Sequence, residues 1–277
     1  MVARALGLTA LAMIAFAANS LLCRIALKET AIDAATFTTV RIVSGAIALA
    51  IIVRLRAGGA RGDGNWLSAF WLFAYAAGFS FAYITLTAGT GALLLFGAVQ
   101  ATMIGYGFWK GERLHGVQWL GLTLALGGLA GLLFPGLSAP PPLGAALMIF
   151  AGISWGFYSL RGRAAGGDPT RVTAGNFLRA VPFAALVSLV ALGWFSFDPR
   201  GVIYAIASGA LASGVGYAIW YTALPLLKAT SAATVQLSVP VIAAAGGIVF
   251  LGESLTLRLA AASVAILGGI ALVIRGR

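Results

Sequence analysis

An all-α integral membrane protein, with ten transmembrane helices forming two inverted five-helix repeats, is the fold class this sequence predicts. Three observations carry the prediction. Of 277 residues, 61% are apolar and only 9% charged, against roughly 45–50% and about 25% in soluble domains. The apolar residues fall in runs of the length, about 20 residues, that crosses a bilayer as helix. The second half of the chain also repeats features of the first at a nearly constant offset. Such a composition excludes a soluble enzyme, a nucleic-acid-binding module and a disordered regulator.

Taken in order, the runs lie at residues 5–24, 34–53, 67–87, 91–110, 116–134, 142–161, 172–193, 202–224, 229–250 and 257–275. The first follows Arg4 and contains Ala15-Phe16-Ala17, which has the look of a signal-peptide cleavage site. It reads as a span because it is long enough and because the residues after Ala17 belong to the repeat. The second ends before Arg54 and holds Arg41 eight residues inside, about 12 Å of helix rise. The third follows the polar stretch Arg54 to Asn65 and is crowded with Tyr75, Phe79, Phe81 and Tyr83. The fourth carries Gln100 near its middle, and the fifth is a glycine-rich packing helix with Gly127-xxx-Gly131. The sixth holds Trp155, Phe157 and Tyr158, and after the polar stretch Arg161 to Arg171 the seventh holds Arg179 and Pro182. Pro182 removes an amide from the helix ladder and frees a carbonyl as a partner for that guanidinium. The eighth contains Gly209-xxx-Ser213, loosening glycines at Gly214 and Gly216, and Tyr217, Trp220 and Tyr221. The ninth carries Gln236 and Pro240, which predicts a mid-span kink. The tenth is again glycine-rich packing. The loops are too short for an extramembrane domain.

The net charge of +11 is scattered singly between the runs, which points away from nucleic acid and toward the basic excess that orients membrane proteins. With a cytoplasmic N-terminus, twelve Lys and Arg lie inside and four (Arg24, Lys28, Arg200 and Arg258) outside, so both termini are expected in the cytoplasm. One cysteine, Cys23, and one histidine, His115, leave no disulfide, no His-based triad and no metal set. No cofactor is expected.

Repetition is legible at several points. Gly111-Glu112, followed by Gly127-Gly128, recurs 141 residues on as Gly252-Glu253 and Gly268-Gly269. Ser20-Leu21 with Arg24 recurs as Ser159-Leu160 with Arg163, and Arg41 recurs as Arg179. Tyr83-x-x-Leu86 recurs as Tyr221-x-x-Leu224. The repeats are expected at 1–138 and 139–277. Five spans per repeat is odd, so the second copy enters the membrane from the opposite face, as in secondary transporters.

Over its whole length the chain resembles the drug/metabolite transporter superfamily in its ten-helix EamA branch. The Gly-Glu pairs, Arg41, Arg179 and Ser154-Trp155-Gly156-Phe157-Tyr158 carry the likeness. Within the branch it is most similar to the YddG-type exporters of amino acids, aromatic ones included. That resemblance implies a transporter of the cytoplasmic membrane, working on small molecules by alternating access. The first span lacks the tryptophan often seen near Phe16, so a family contact there is not carried over.

Polar side chains in lipid are expensive and usually face a cavity or a partner helix. No Asp or Glu lies within a span, so an ion-loading carboxylate is absent and facilitated transport without ion coupling is expected. The residues expected to bind substrate are Asn19, Phe79, Tyr83, Gln100, Trp155, Tyr158, Tyr217, Trp220 and Gln236. For the aromatics the alternative is core packing, and for the glutamines interhelical hydrogen bonding. Arg41 and Arg179 read either as packing arginines that snorkel or bond carbonyls, or as a positive potential that attracts a carboxylate. Glu112 and Glu253 read as structural groups at opposite faces.

The function expected is export of amino acids, aromatic and other large neutral ones, by a monomer whose partners are its substrate and membrane lipid. Efflux of drugs or other metabolites is an alternative, as is exchange of nucleotide sugars or phosphorylated compounds. Several phosphates would need more cavity cations than two arginines. An intramembrane enzyme lacks the buried acids or base it would require.

Overall fold

The computed structural model describes residues 2–56, 63–111, 113, 115–136, 138–223, 226 and 235–275. Among the described residues the long helices are α1 (Val2–Glu29), α2 (Ala34–Leu55), α3 (Trp66–Tyr83), α4 (Ala88–Trp109), α5 (Gly116–Leu133), α6 (Pro142–Ala164), α7 (Pro169–Val190), α8 (Pro199–Ala223), α9 (Ser238–Leu251) and α10 (Leu257–Arg275). The described residues contain no strand. Eight of the helices are long and apolar enough to cross a bilayer, and α9 is apolar but shorter, at 14 residues. The protein is a multi-pass membrane protein.

The helix starts are written in short polar residues. Asp33, Asn65, Thr87, Asp168 and Asp198 accept backbone N–H bonds in the first turns of α2, α3, α4, α7 and α8, the donors that a helix cannot pair internally. Prolines at the first position of α6, α7 and α8 lose no bond there. Gly252 ends α9 at φ 62°, a left-handed conformation that disfavours a side chain. Two of these caps also tie neighbouring loops together. Asp33 takes a bond from the Ser196 amide at 3.1 Å, and Asp198 one from the Ala31 amide at 3.3 Å. Partial burial pushes the Asp33 carboxyl up, but N–H and O–H donors from Thr36, Ser196 and Ala35 outweigh it and hold its pKa below the usual value. The Gly201 and Ala31 amides do the same for Asp198.

The most extensive contacts between helices exchange when five is added to each helix number. The α3–α6, α4–α6 and α3–α7 contacts correspond to α8–α1, α9–α1 and α8–α2, while α2–α7, α4–α9 and α5–α10 map onto themselves. That is the pattern of two five-helix units related by a twofold axis. Among the eight candidate spans α4 is the most buried and α5 the least, at 61% against 17%, and α5 packs chiefly against α10. They touch through Gly121, whose absent Cβ leaves room for the Gly269 carbonyl.

Several local expectations are corrected. Gly127 and Gly131 face open space, and Gly128 makes the close approach, against Ala265 and Ile266. Pro240 lies three residues after a break at Leu237 that separates helical Val235 and Gln236 from α9, the place where its missing amide leaves the helix ladder unpaired. The expected start of the ninth span falls in residues 227–234, which lie outside the described residues, as does Glu112. Gly209 does pack tightly, against the Arg41 carbonyl and Ser44. The loosened stretch of α8 is wound as π-helix over Ala207–Val215, a rare form frequent at functional sites.

Candidate functional site

Six helical segments converge on one central cavity. α1 contributes Phe16, Asn19 and Ser20, α3 Tyr75 and Phe79, α4 Leu95 and Phe96, α6 Trp155, α8 Tyr217, and the short helical stretch before α9 Gln236. The cavity is small, about 20 Å³, room for little more than one water molecule. The cavity is therefore a set of narrow clefts between rings, and a ligand the size of an amino acid enters only if the rings move apart.

Helical spacing builds the aromatic wall. Tyr75, Phe79 and Tyr83 are four residues apart and stack along one face of α3, with centroids 5.4 and 4.7 Å apart. Trp155 bridges to the second half of the wall, 4.7 Å from Tyr75 and 5.2 Å from Tyr217. Phe16 meets Tyr217 and Trp220 edge-on at 5.8 and 6.0 Å. Each such pair adds about 0.5–1.5 kcal/mol beyond its buried area, so the rings hold the helices together as well as shaping the cavity.

Behind the rings runs a polar chain. Ser208, in the π-wound segment, donates to Asn19 Oδ1. Asn19 Nδ2 donates to Tyr75 Oη at 3.2 Å, and Arg41 Nη2 donates to the same oxygen at 3.0 Å. Arg41 is 1% exposed. Its guanidinium lies over the Phe79 ring at 4.8 Å and the Tyr75 ring at 5.2 Å. Its Nη1 has no hydrogen-bond partner among the described residues. Desolvating an unpaired ion costs several kcal/mol. Two cation–π contacts at about 2 kcal/mol each when desolvated offset part of that.

Of the expected site residues, Asn19, Phe79, Trp155, Tyr217 and Gln236 meet at the cavity. Tyr83 is buried beside it, its hydroxyl donating to the Ala88 carbonyl at 3.3 Å. Gln100 is buried on α4 away from the lining. Tyr158 packs on Trp155 and accepts a long bond from Asn176, 3.5 Å. Trp220 touches the cavity only through Phe16. Arg179 does not reach it. Its Nη1 donates to the Asp63 carbonyl and to Gly175 at 3.2 Å, so the carbonyl it uses lies one turn earlier in its own helix and is not the one freed by Pro182. Tyr75, Phe16, Ser20, Leu95, Phe96 and Ser208 were not among the expected site residues. Tyr75 could have been found by extending the Phe79–Tyr83 spacing back one turn.

One end of the bundle is closed by a cluster that joins the halves. Arg24 on α1 pairs with Glu253 at 3.2 Å and donates to the Tyr83 and Ile84 carbonyls at 2.9 and 3.0 Å. Glu253 also accepts the Ala88 amide at 2.8 Å, at the positive end of α4. Its role is thus the structural one expected. At the other end, Arg161 donates to Ser68 and Asn65, each at 3.1 Å, and the Asn65 amide donates to Asn176 at 2.9 Å.

Comparison with known proteins adds the following. The EamA-like transporter family matches residues 142–275. An uncharacterized protein of Pseudomonas aeruginosa is 58% identical over 275 residues, covering 99% of this chain and 96% of that protein. The threonine/homoserine exporter RhtA of Escherichia coli K12 is 37% identical over 118 residues, 41% of this chain and 39% of the exporter. A protein of known crystal structure superposes with a TM-score of 0.64 at 20% identity, over 95% of this chain and 98% of its own, which shows a shared fold.

Proposed function

Because the chain belongs to the EamA-like transporter family of the drug/metabolite transporter superfamily, we propose that it exports amino acids across the cytoplasmic membrane by alternating access. The preferred substrates are aromatic and other large neutral amino acids. The observation that carries this reading is the cavity itself: rings from α1, α3, α4, α6 and α8 with two amide side chains, Asn19 and Gln236, among them. Rings accept an apolar side chain, and the amides and hydroxyls accept a backbone-like ammonium and carboxylate.

The working unit is a monomer of two inverted repeats, divided at 138/139, with both termini in the cytoplasm. Rocking of one repeat against the other would open the Arg24–Glu253 end and the Arg161–Asn65 end in turn. Transport is facilitated, because no carboxylate within a span is available to load a proton or sodium ion. Phosphorylated substrates are disfavoured: one arginine, Arg41, adjoins the cavity.

A second reading has its own support. The likeness to a threonine/homoserine exporter, the narrow clefts and the hydroxyls of Ser20 and Ser208 suit a small hydroxylated amino acid. Counterflow into liposomes holding the purified protein separates the two. Labelled phenylalanine should exchange faster than labelled threonine or homoserine, with no imposed ion gradient. The reverse order favours the second reading, and exchange of none of them overturns amino-acid transport.

A further inference from the structure

We propose that Arg41 is the receiver of the substrate's carboxylate, with the Tyr75 hydroxyl as its second donor, so that the ligand supplies the anion that the buried guanidinium lacks. The inference rests on reading the central cavity as the transport site. It deepens that reading by restricting the substrate class to molecules with a single carboxylate.

A guanidinium is ionised at every accessible pH, and Arg41 is sealed from solvent. The six acids among the described residues lie in loops or at helix ends, and the ion pairs among the described residues are Arg24–Glu253 and Lys28–Glu29, neither involving Arg41. A buried cation in a protein is ordinarily paired. This one has a phenol on Nη2, two ring faces and an orphan Nη1.

Position supplies the second step. The rings beneath the guanidinium, Tyr75 and Phe79, are themselves cavity walls. Parting them to admit a ligand brings Arg41 to the edge of the widened space. Tyr75 Oη already accepts from Arg41 and from Asn19, which leaves its own proton to donate. A carboxylate there would take two charge-assisted bonds, one from Nη1 and one from the phenol. The ammonium of a zwitterion then points away from Arg41, toward the Trp155 and Tyr217 faces. With one cation at the site, a dicarboxylate would leave a charge unpaired.

The test uses the full-length protein purified in detergent and three probes of matched shape: 3-phenylpropionate, 3-phenylpropanamide and phenethylamine. Thermal unfolding is followed at millimolar probe. The carboxylate should raise the melting temperature, and the amide and amine should need at least about tenfold more for the same shift, the range for a lost charge-assisted bond. Arg41→Gln should abolish the carboxylate shift, and Arg41→Lys should keep part of it. An amide as effective as the carboxylate on the unaltered protein overturns the proposal, even if the Arg41 variants fail to fold. So does a lack of any shift by the carboxylate. Carboxylate binding that depends on Arg41, in a protein that moves no amino acid in liposomes, would uphold Arg41 and reject amino-acid transport. Transport of phenylalanine that its amide inhibits as well as phenylalanine does would reject Arg41 and keep the transport reading.

Discussion

Arg41 and Arg179 stand 138 positions apart at matching places in α2 and α7, yet their side chains have different fates. Arg41 is sealed among the rings of α3, whereas Arg179 leaves its helix for a loop carbonyl. The difference lies in the helix each one faces. Carried by the same offset, Tyr75 becomes Ser213 and Phe79 becomes Tyr217. Arg41 therefore has a phenol within reach, while the place equivalent to that phenol holds a short hydroxyl that is itself unpartnered. Phe16 and Trp155 are related in the same way, at an offset of 139, and both line the cavity; Asn19 becomes Tyr158, which does not. The aromatic wall is thus doubled across the two halves and the polar chain is not. One side of the cavity is polar and the rest chiefly aromatic, a polarity that would orient a zwitterion under the proposed function.

The largest effect should come from a second pair of related arginines. Arg24 is tied to Glu253 and two carbonyls, while Arg163 is exposed. Arg24→Ala takes the cation from a half-buried Glu253 that keeps the Ala88 amide, and should cost about 1–3 kcal/mol. Arg163→Ala should stay within about 0.5 kcal/mol. Thermal melting in detergent measures both. Equal losses would mean that the halves are held together alike at both ends, and that the Arg24 cluster is not a special seal.

Next comes the comparison of Arg41 with Arg179 in transport. Arg41→Gln should lower amino-acid exchange about ten- to hundredfold, the worth of a charge-assisted bond to substrate. Arg179→Gln should change it by no more than about threefold, because its partners are backbone carbonyls. Matched losses at normal protein levels would return both arginines to a packing role.

Much of this was legible in the sequence, and what was not has physical causes. The spans follow from apolar length, and the caps from Asp, Asn, Thr and Pro at helix starts. Phe79, Trp155 and Tyr217 declare themselves because large rings deep in a span must meet something. Which of two equivalent arginines is buried could not be read, because the answer lies on other helices, at Tyr75 and at Ser213. The same is true of Gln100, which looks like a lining residue until the rotation of α4 is known. Glycines mislead for a similar reason: Gly127 and Gly128 are adjacent, and only helix rotation decides which one meets α10.

Where the wall is doubled, related substitutions should agree. Phe79→Ala and Tyr217→Ala each remove a ring worth about 1.5–3 kcal/mol of buried contact if the substrate covers it. Exchange of phenylalanine should fall about ten- to hundredfold in both, and exchange of alanine much less, because alanine never fills that space. Equal losses for both amino acids would mean that the rings support the fold or the rocking motion and do not read the side chain.

The smallest effect concerns the helix caps at the Arg24 end. Asp33 heads α2 as Asp168 heads α7, but Asp33 also takes the Ser196 amide. Despite partial burial, its hydrogen bonds hold its pKa below the ordinary carboxylate value, which is about 3.9 in the unfolded chain. A group depressed on folding contributes stability that is fully present above the unfolded pKa and is lost as pH falls through the folded one. The melting temperature should therefore be flat from neutral pH to about 5 and drop below about 4. Asp33→Asn tests the charge alone, because asparagine still caps a helix. The variant should melt slightly lower at neutral pH and fall less on acidification, so that the two curves converge in acid. Parallel curves would assign the acid sensitivity to another group, with Asp198, tied to the Ala31 amide in the neighbouring loop, the next to test.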